Sequence, residues 1–259
     1  MILLPMFAAV LTLTYQPNLL ISTVLFFGLP SLYIIANNPG ICGKSLTFAF
    51  FFSIPLSLFV DALAAADGSW VVRQSILPWR ALGVATVEVY VYGLLWVLFA
   101  VLFYEHFFDR GRKGDRVSPR IKYLAYLFVV LVFLVSVIFL EDKALPKVPY
   151  FYSLLGSVFV VPPVVIFIFR HSAFLRRFAL IGVYFFFFLL LFELVALTTD
   201  LWSFPGNDFV GFVSLLGCRF PIEEVLFWMC AGTPSLLVYY EVFADDRRLN
   251  AKLPRRFSS

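Results

Sequence analysis

Charged residues are scarce in this chain of 259 residues: Asp, Glu, Lys and Arg make up 14% of it. Soluble globular proteins carry about 25%. Hydrophobic residues make up 62%, and the mean hydropathy is +0.93. This composition excludes a soluble enzyme and a disordered chain. The net charge of +4 does not indicate a nucleic-acid-binding face, because the basic residues stand in short clusters between long apolar runs. The chain is therefore predicted to be an integral membrane protein.

Cysteine and histidine are also rare. The three cysteines, Cys42, Cys218 and Cys230, have no metal-ligand spacing, and the two histidines, His106 and His171, join no cluster. The sequence therefore predicts neither a disulfide framework nor a metal site. It also contains no Gly-x-Gly-x-x-Gly fingerprint, so a fold built around a dinucleotide is not expected, and no cofactor is predicted.

Long apolar runs predict an all-α bundle of seven transmembrane helices, since a span needs about 20 apolar residues. The predicted spans are 18–37, 44–66, 82–107, 120–140, 150–169, 174–198 and 211–243. The apolar segment 2–14 is shorter, and we expect either an eighth, tilted span or a helix in the interface. No lysine or arginine precedes Lys44, so a cleaved signal peptide is not expected.

Basic residues predict the orientation of these spans. If the seven spans alternate, the basic clusters all fall on one side of the membrane. They lie at Lys44, in residues 108–122, in the turn 170–177 and in the C-terminal tail. Because cytoplasmic loops carry an excess of Lys and Arg, 108–122 and the tail of this multi-pass cell-membrane protein are predicted to be cytoplasmic.

The two halves of the chain repeat one another. Glu88 and Glu105 are 17 residues apart, as are Glu224 and Glu241, and a tyrosine precedes the second glutamate of each pair. An Asp and a Trp stand upstream of each pair, as Asp67 with Trp70 and as Asp200 with Trp202. The predicted organisation is a first repeat over 1–109, a second over 120–245 and a basic tail over 246–259. Repeats in the same direction imply a pseudo-twofold axis along the membrane normal, with a binding site between the halves.

The run from Phe220 to Trp228, Phe-Pro-Ile-Glu-Glu-Val-Leu-Phe-Trp, is the clearest motif in the chain. Adjacent Glu223 and Glu224 could complement the dipole of the helix that begins here. Two ionisable groups ahead of an unbroken apolar run more often have a function, because they are costly at membrane depth. Two carboxyl groups in an apolar site repel each other, so one is expected to stay protonated and act as an acid, with its ionised neighbour as a base. Aromatic faces nearby can stabilise a cation.

The chain resembles the small integral-membrane lycopene cyclases. These are the non-flavin enzymes of bacteria, archaea and, fused to phytoene synthase, of fungi. The resemblance is carried by the Pro-x-Glu-Glu motif followed by Leu-Phe-Trp, the upstream Asp and Trp, the Tyr-Glu pair at the end of each repeat, and the tandem repeat itself. The resemblance covers residues 20–245 and is strongest over 200–245. It implies a redox-neutral cyclisation: a proton adds to the terminal double bond of a linear carotenoid, the neighbouring alkene attacks the cation, and proton loss leaves an ionone-type ring.

The resemblance and the repeat together assign roles to particular residues. Glu223 and Glu224 form the acid pair, without a choice between them, and Glu88 faces them as a base or tuning partner. Substrate contacts are expected from the motif and from the Asp/Trp elements, which either close the cavity or are ordinary interfacial residues. They are Phe220, Pro221, Phe227, Trp228, Tyr92, Asp67, Trp70, Asp200 and Trp202. The expected partners are a lipophilic carotenoid or isoprenoid and the bilayer. Other carotenoid-pathway enzymes are candidate partners, and nucleic acid is not an expected one.

The first half departs from the motif. Where the second half has Pro221-Ile222-Glu223-Glu224, it reads Ala85-Thr86-Val87-Glu88, so one carboxylate and the proline are missing. This leaves open a membrane terpene cyclase acting on another isoprenoid and a non-catalytic carotenoid-binding protein. A prenyl endopeptidase is disfavoured, because Trp228 stands where its Glu-Glu-x-x-x-Arg motif needs arginine.

Overall fold

The computed structural model describes residues 1–81, 83, 85–109, 117–142, 147–170 and 175–245. Within these ranges the chain is mainly helical, with two short antiparallel hairpins. The helices are α1 (Leu3–Tyr15), α2 (Leu19–Asn37), α3 (Cys42–Asp67), α4 (Val87–Phe107), α5 (Ile121–Asp142), α6 (Phe151–Phe169), α7 (Leu175–Thr198) and α8 (Glu224–Phe243). The strands are β1 (Arg80–Ala81), β2 (Ala85–Thr86), β3 (Phe212–Leu215) and β4 (Cys218–Pro221).

Among the described residues, six helices are long and apolar enough to cross a bilayer. They correspond to α2, α3, α4, α6, α7 and α8. Two shorter apolar segments, Leu3–Tyr15 and Ile121–Leu134, accompany them. The prediction of a multi-pass helical membrane protein is thereby confirmed.

Helix ends follow local sequence signals. The Asn18 side chain accepts a hydrogen bond from the Ile21 N–H and caps α2. At the C-terminal end of α3, Gly68 takes a left-handed conformation with φ 74° and terminates the helix. These signals set the helix boundaries close to the predicted spans.

The predicted span 211–243 is wrong in its first part, where the chain forms a β-hairpin. Strand β3 pairs with β4, and the turn between them uses Leu216 (φ 50°) and Gly217 (φ 82°). Positive φ at both central residues matches the turn that joins twisted strands, and glycine allows it without strain. Helical structure therefore begins only after Pro221.

Aromatic side chains fill the centre of the bundle between α2, α4 and α7. Phe26 and Phe27 of α2 are fully buried and contact Phe192 of α7 at ring-centroid distances of 4.8 and 5.0 Å. Phe99 of α4 contacts Phe185 at 5.2 Å. Tilted and edge-on ring pairs of this kind contribute about 0.5–1.5 kcal/mol each beyond their burial.

Buried polar contacts join the helix ends at one end of the bundle. Lys44 of α3 pairs with Glu105 of α4 and with Asp245, which follows α8. The Tyr104 hydroxyl donates to Glu241, and the Tyr240 hydroxyl donates to Glu105. The predicted cytoplasmic segments lie largely outside the described residues, since 110–116, 171–174 and 246–259 are not among them. Their location stays a prediction.

Candidate functional site

A cavity of about 100 Å³ lies where α3 and α7 end and α4 and α8 begin. Its wall combines carboxyl groups with aromatic rings and aliphatic side chains. The lining residues are Leu56, Ser57, Val60, Asp61, Trp70, Tyr92, Gly93, Trp96, Tyr152, Leu189, Glu193, Trp202, Phe204, Glu224 and Trp228.

Three carboxyl groups face this cavity, each from a different helix. Asp61 lies on α3, Glu193 on α7 and Glu224 on the first turn of α8. Glu193 and Glu224 are buried, and Asp61 is half-buried. Carboxylates that share one mostly apolar cavity are desolvated and repel each other, so negative charge there is costly.

Each carboxyl group has its own polar neighbour. Trp202 Nε1 donates to Glu193 Oε1 at 3.1 Å. The Ser57 hydroxyl is the polar neighbour of Asp61, and the Tyr152 hydroxyl is that of Glu224. These polar groups stand beside the carboxyl groups in an otherwise mostly apolar wall.

Aromatic rings surround the carboxyl groups. Trp70 and Trp202 lie 5.8 Å apart by ring centroids, and Tyr92 meets Trp202 at 5.6 Å. Trp228 shares the cavity with Glu224 because both project from the π-helical segment Glu224–Gly232. Ring faces stabilise positive charge, so this wall suits a carbocation that forms beside a carboxyl group.

The structure separates the predicted acid pair. Glu224 lines the cavity, whereas Glu223 accepts hydrogen bonds from the Val210 N–H at 2.7 Å and from Ser153 at 2.8 Å. Adjacent helical residues point about 100° apart, so one carboxyl group faces the cavity and the other holds the preceding loop.

Glu88 is used in the same way as Glu223. Its carboxylate accepts hydrogen bonds from the Ile76 N–H at 2.6 Å and from the Ser75 hydroxyl at 2.8 and 2.9 Å. These contacts anchor the loop between α3 and α4. The structure does not bring Glu88 to Glu224 in the manner that the repeat alignment predicted.

The predicted substrate contacts divide into two groups. Trp70, Tyr92, Trp202 and Trp228 line the cavity. The other five are not among its lining residues.

Three motif residues hold the framework around the cavity. Phe220 and Pro221 pair with β3 as part of β4. The Phe227 ring lies so close to Gly156 of α6 that a Cβ there would be 2.1 Å from it. The two aspartates lie at helix ends: Asp67 is half-buried near the Val148 backbone, and Asp200 is exposed.

Asp61 and Glu193 were missed by the sequence reasoning. Each stands on a long apolar helix, nine residues before Trp70 and Trp202 respectively. An isolated carboxylate inside an apolar span is itself a signal of function, because ionisable groups in the bilayer are costly.

A second polar cluster lies at the opposite end of the bundle. The carboxylates of Glu105, Asp109 and Asp245 come within 4.8 Å of one another, a spacing that could hold a cation. The Lys44 ammonium pairs with two of them and supplies positive charge there.

Comparisons with protein-family models, with curated proteins and with solved structures gave no match. The chemistry of the site must therefore be argued from its geometry. Carboxyl groups in an aromatic, apolar cavity can donate a proton to an apolar substrate, stabilise the resulting cation and accept a proton back.

Proposed function

We propose that this protein is a membrane carotenoid cyclase that closes an ionone-type ring on the linear end of lycopene or a related carotenoid. The observation that carries the proposal is the meeting of Asp61, Glu193 and Glu224 in one cavity walled by tryptophan and tyrosine. Acid-initiated ring closure needs a protonated carboxyl group, a cation-stabilising wall and a proton acceptor. Little else in the wall is polar, which suits a hydrocarbon substrate.

In the proposed reaction Glu224 donates its proton to the terminal carbon–carbon double bond of the substrate. The tertiary cation is attacked by the next double bond, which forms the new ring bond and moves the charge to a ring carbon. Asp61 or Glu193 then takes a proton from the adjacent carbon, and a double bond forms there. The product is an isomer of the substrate, and no redox partner is needed.

The proposal includes two repeats around a pseudo-twofold axis. A spacing of 132 residues relates Asp61 to Glu193 and Trp70 to Trp202. Two pairs of contacts across this axis support it. Val71 and Ser203, also 132 residues apart, exchange backbone hydrogen bonds. Two tyrosine–glutamate bonds cross reciprocally at the other end of the bundle.

Seven transmembrane helices, α2 to α8, form this bundle in our proposal, with α1 as a shorter accompanying helix. The segment 108–122 and the tail are cytoplasmic in it. The carboxylate cavity then lies toward the opposite membrane face.

Expression in a lycopene-accumulating host, with separation of the pigments, tests the activity. We expect a product of unchanged mass with altered retention and absorption. Reaction of purified protein with lycopene in heavy water should add one deuterium per ring, because the proton that Glu224 delivers stays in the product. A Glu224→Gln variant at normal membrane level should form no ring.

Three other results would redirect the proposal. Lycopene left unchanged but bound indicates a carotenoid-binding protein. Ring formation only on a shorter isoprenoid indicates a terpene cyclase. Full activity in Glu224→Gln would overturn the mechanism.

A further inference from the structure

A second, apolar cavity of about 40 Å³ adjoins the carboxylate cavity. Four residues line both: Leu56, Val60, Trp96 and Trp228. Its remaining wall comes from α3, α5, α6 and α8. The two cavities therefore lie side by side, with both tryptophans in the wall that they share.

The second cavity offers little to bind a polar ligand. Apart from the indole N–H groups of Trp96 and Trp228, its polar side chains are Ser235 and Tyr239, which both donate to the Phe159 carbonyl, at 3.3 and 3.1 Å. The rest of the wall is aliphatic, aromatic or glycine. A hydrocarbon chain fits such a wall, because a polar ligand would lose hydrogen bonds there.

One wall of the second cavity reaches the lipid-facing surface. Leu127 of α5 lines the cavity and is 45% exposed. Neighbouring residues of α5, among them Val130 and Phe133, are more than half exposed, as expected of a helix that faces lipid. The second cavity thus lies between the carboxylate cavity and the exposed face of α5.

We infer that the second cavity holds the unreacted chain of the substrate, which enters from the bilayer past Leu127 with its reactive end leading. This inference rests on the proposed function for the identity of the reacting end. The two cavities follow α8 from Glu224 to Tyr239, which is roughly 20 Å of helix at 1.5 Å per residue. Long chains should therefore gain binding from a part of the protein that short ones do not reach.

A matched pair of substitutions on α6 tests the chain site. Val160 lines the second cavity, and Val164, one turn further on, lines a separate cavity between α6, α7 and α8. Binding of lycopene is measured by quenching of tryptophan emission. Both variants also carry Glu224→Gln, so that the bound lycopene is not converted during the measurement. Val160→Phe should weaken lycopene binding about tenfold, as overpacking of a fitted site does, and Val164→Phe less than twofold. Binding of a short acyclic terpene with the same end group should be unchanged in both.

Equal affinities for lycopene in the two variants would overturn the inference, whether or not the protein cyclises its ligand. If Val160→Phe binds lycopene more weakly but the wild type forms no ring, the inferred chain site stands and the proposed cyclase activity is wrong.

Exposed α5 residues provide a second test that leaves the core untouched. Leu127→Trp should slow lycopene association about tenfold relative to wild type, because the larger side chain narrows the opening. Val130→Trp, three residues along the same helix, should change the rate less than twofold. Identical association rates in both variants would contradict access past Leu127.

Discussion

The Tyr104 hydroxyl donates a hydrogen bond to Glu241, which lies 137 residues further along the chain, and both side chains are fully or almost fully buried. The reciprocal bond from Tyr240 to Glu105 completes a clasp between α4 and α8. The two glutamates differ in their other contacts: Glu105 also pairs with Lys44, whereas Glu241 Oε2 has no hydrogen-bond partner among the described residues.

This asymmetry predicts that Tyr104→Phe destabilises the protein more than Tyr240→Phe does. Loss of the Tyr104 hydroxyl leaves Glu241 buried without its donor, which costs about 1–3 kcal/mol, whereas Glu105 keeps Lys44. Thermal unfolding in detergent measures both. Tyr184→Phe is the control, because its hydroxyl makes a longer bond of 3.4 Å to Met1. Equal losses for Tyr104→Phe and Tyr184→Phe would show that the clasp contributes nothing.

The two adjacent glutamates should respond differently to amide substitution. Glu224→Gln removes a titratable proton from the cavity, so we expect no detectable ring, a loss on the order of 100-fold or more. Glu223→Gln keeps an oxygen that can accept from Val210 and Ser153, so its activity should fall only severalfold. Pigment analysis at matched membrane levels measures both.

Glu241→Gln provides the distant control for this pair and should stay near wild-type activity. If Glu223→Gln is as inactive as Glu224→Gln, the assignment of the acid to Glu224 alone is wrong, and both glutamates are needed for proton donation.

Glu193 can be separated from its hydrogen bond. Glu193→Gln keeps an acceptor for Trp202 Nε1 and removes the charge, whereas Trp202→Phe removes the donor and keeps a ring in the wall. If Glu193 accepts the proton, Glu193→Gln should lower kcat more than Trp202→Phe does. Addition of Asp61→Asn should then remove the remaining activity, because both proton acceptors are gone. A double variant Glu193→Gln/Asp61→Asn with wild-type kcat would contradict the assignment.

Sequence periodicity located the helices well because apolar length and helix-breaking residues act locally. The predicted span 174–198 corresponds to Leu175–Thr198, and 18–37 to Leu19–Asn37. The hairpin before α8 escaped prediction, because the apolar content of 211–221 is compatible with either a strand or a helix. Only the turn at Leu216 and Gly217 distinguishes a hairpin from a helix in this segment.

The chemistry of the site was harder to predict than the fold. The sequence pointed to Glu224 and Trp228 because they belong to one compact motif. Asp61 and Glu193 reach the same cavity from helices far apart in the chain, and only the packing of α3 against the rest of the bundle brings them together. Glu88 shows the converse: alignment by spacing matched it to Glu224, whereas its hydrogen bonds resemble those of Glu223.

Membrane sidedness can be tested with two single cysteines in a background that lacks the three native ones. Val210→Cys, at a position that is 72% exposed near the carboxylate cavity, should react with an impermeant maleimide in intact cells. Arg112→Cys should react only after permeabilisation, because basic segments stay in the cytoplasm. The opposite labelling pattern would invert the proposed topology.

Gly93 of α4 lies directly against Ser57, the polar neighbour of Asp61 in the cavity wall. A Cβ on Gly93 would lie 2.4 Å from Ser57 Oγ, too close for any real contact. Gly93→Ala should therefore lower the melting temperature, although alanine is favoured over glycine in a helix by about 1 kcal/mol. It should also lower activity, because the Ser57 hydroxyl must move away from Asp61.

Removal of that hydroxyl should separate the two effects of Gly93→Ala. The double variant Gly93→Ala/Ser57→Ala should regain the melting temperature, since the next contact of the new Cβ is Ser57 Cβ at 3.7 Å. Its activity should match that of Ser57→Ala alone, because both lack the hydroxyl beside Asp61. Gly40→Ala is the control for glycine replacement, as a Cβ there has no atom within 4 Å among the described residues. If the double variant melts as low as Gly93→Ala, the clash is not with Ser57. If Ser57→Ala keeps full activity, the Ser57 hydroxyl has no part in placing Asp61 for proton transfer.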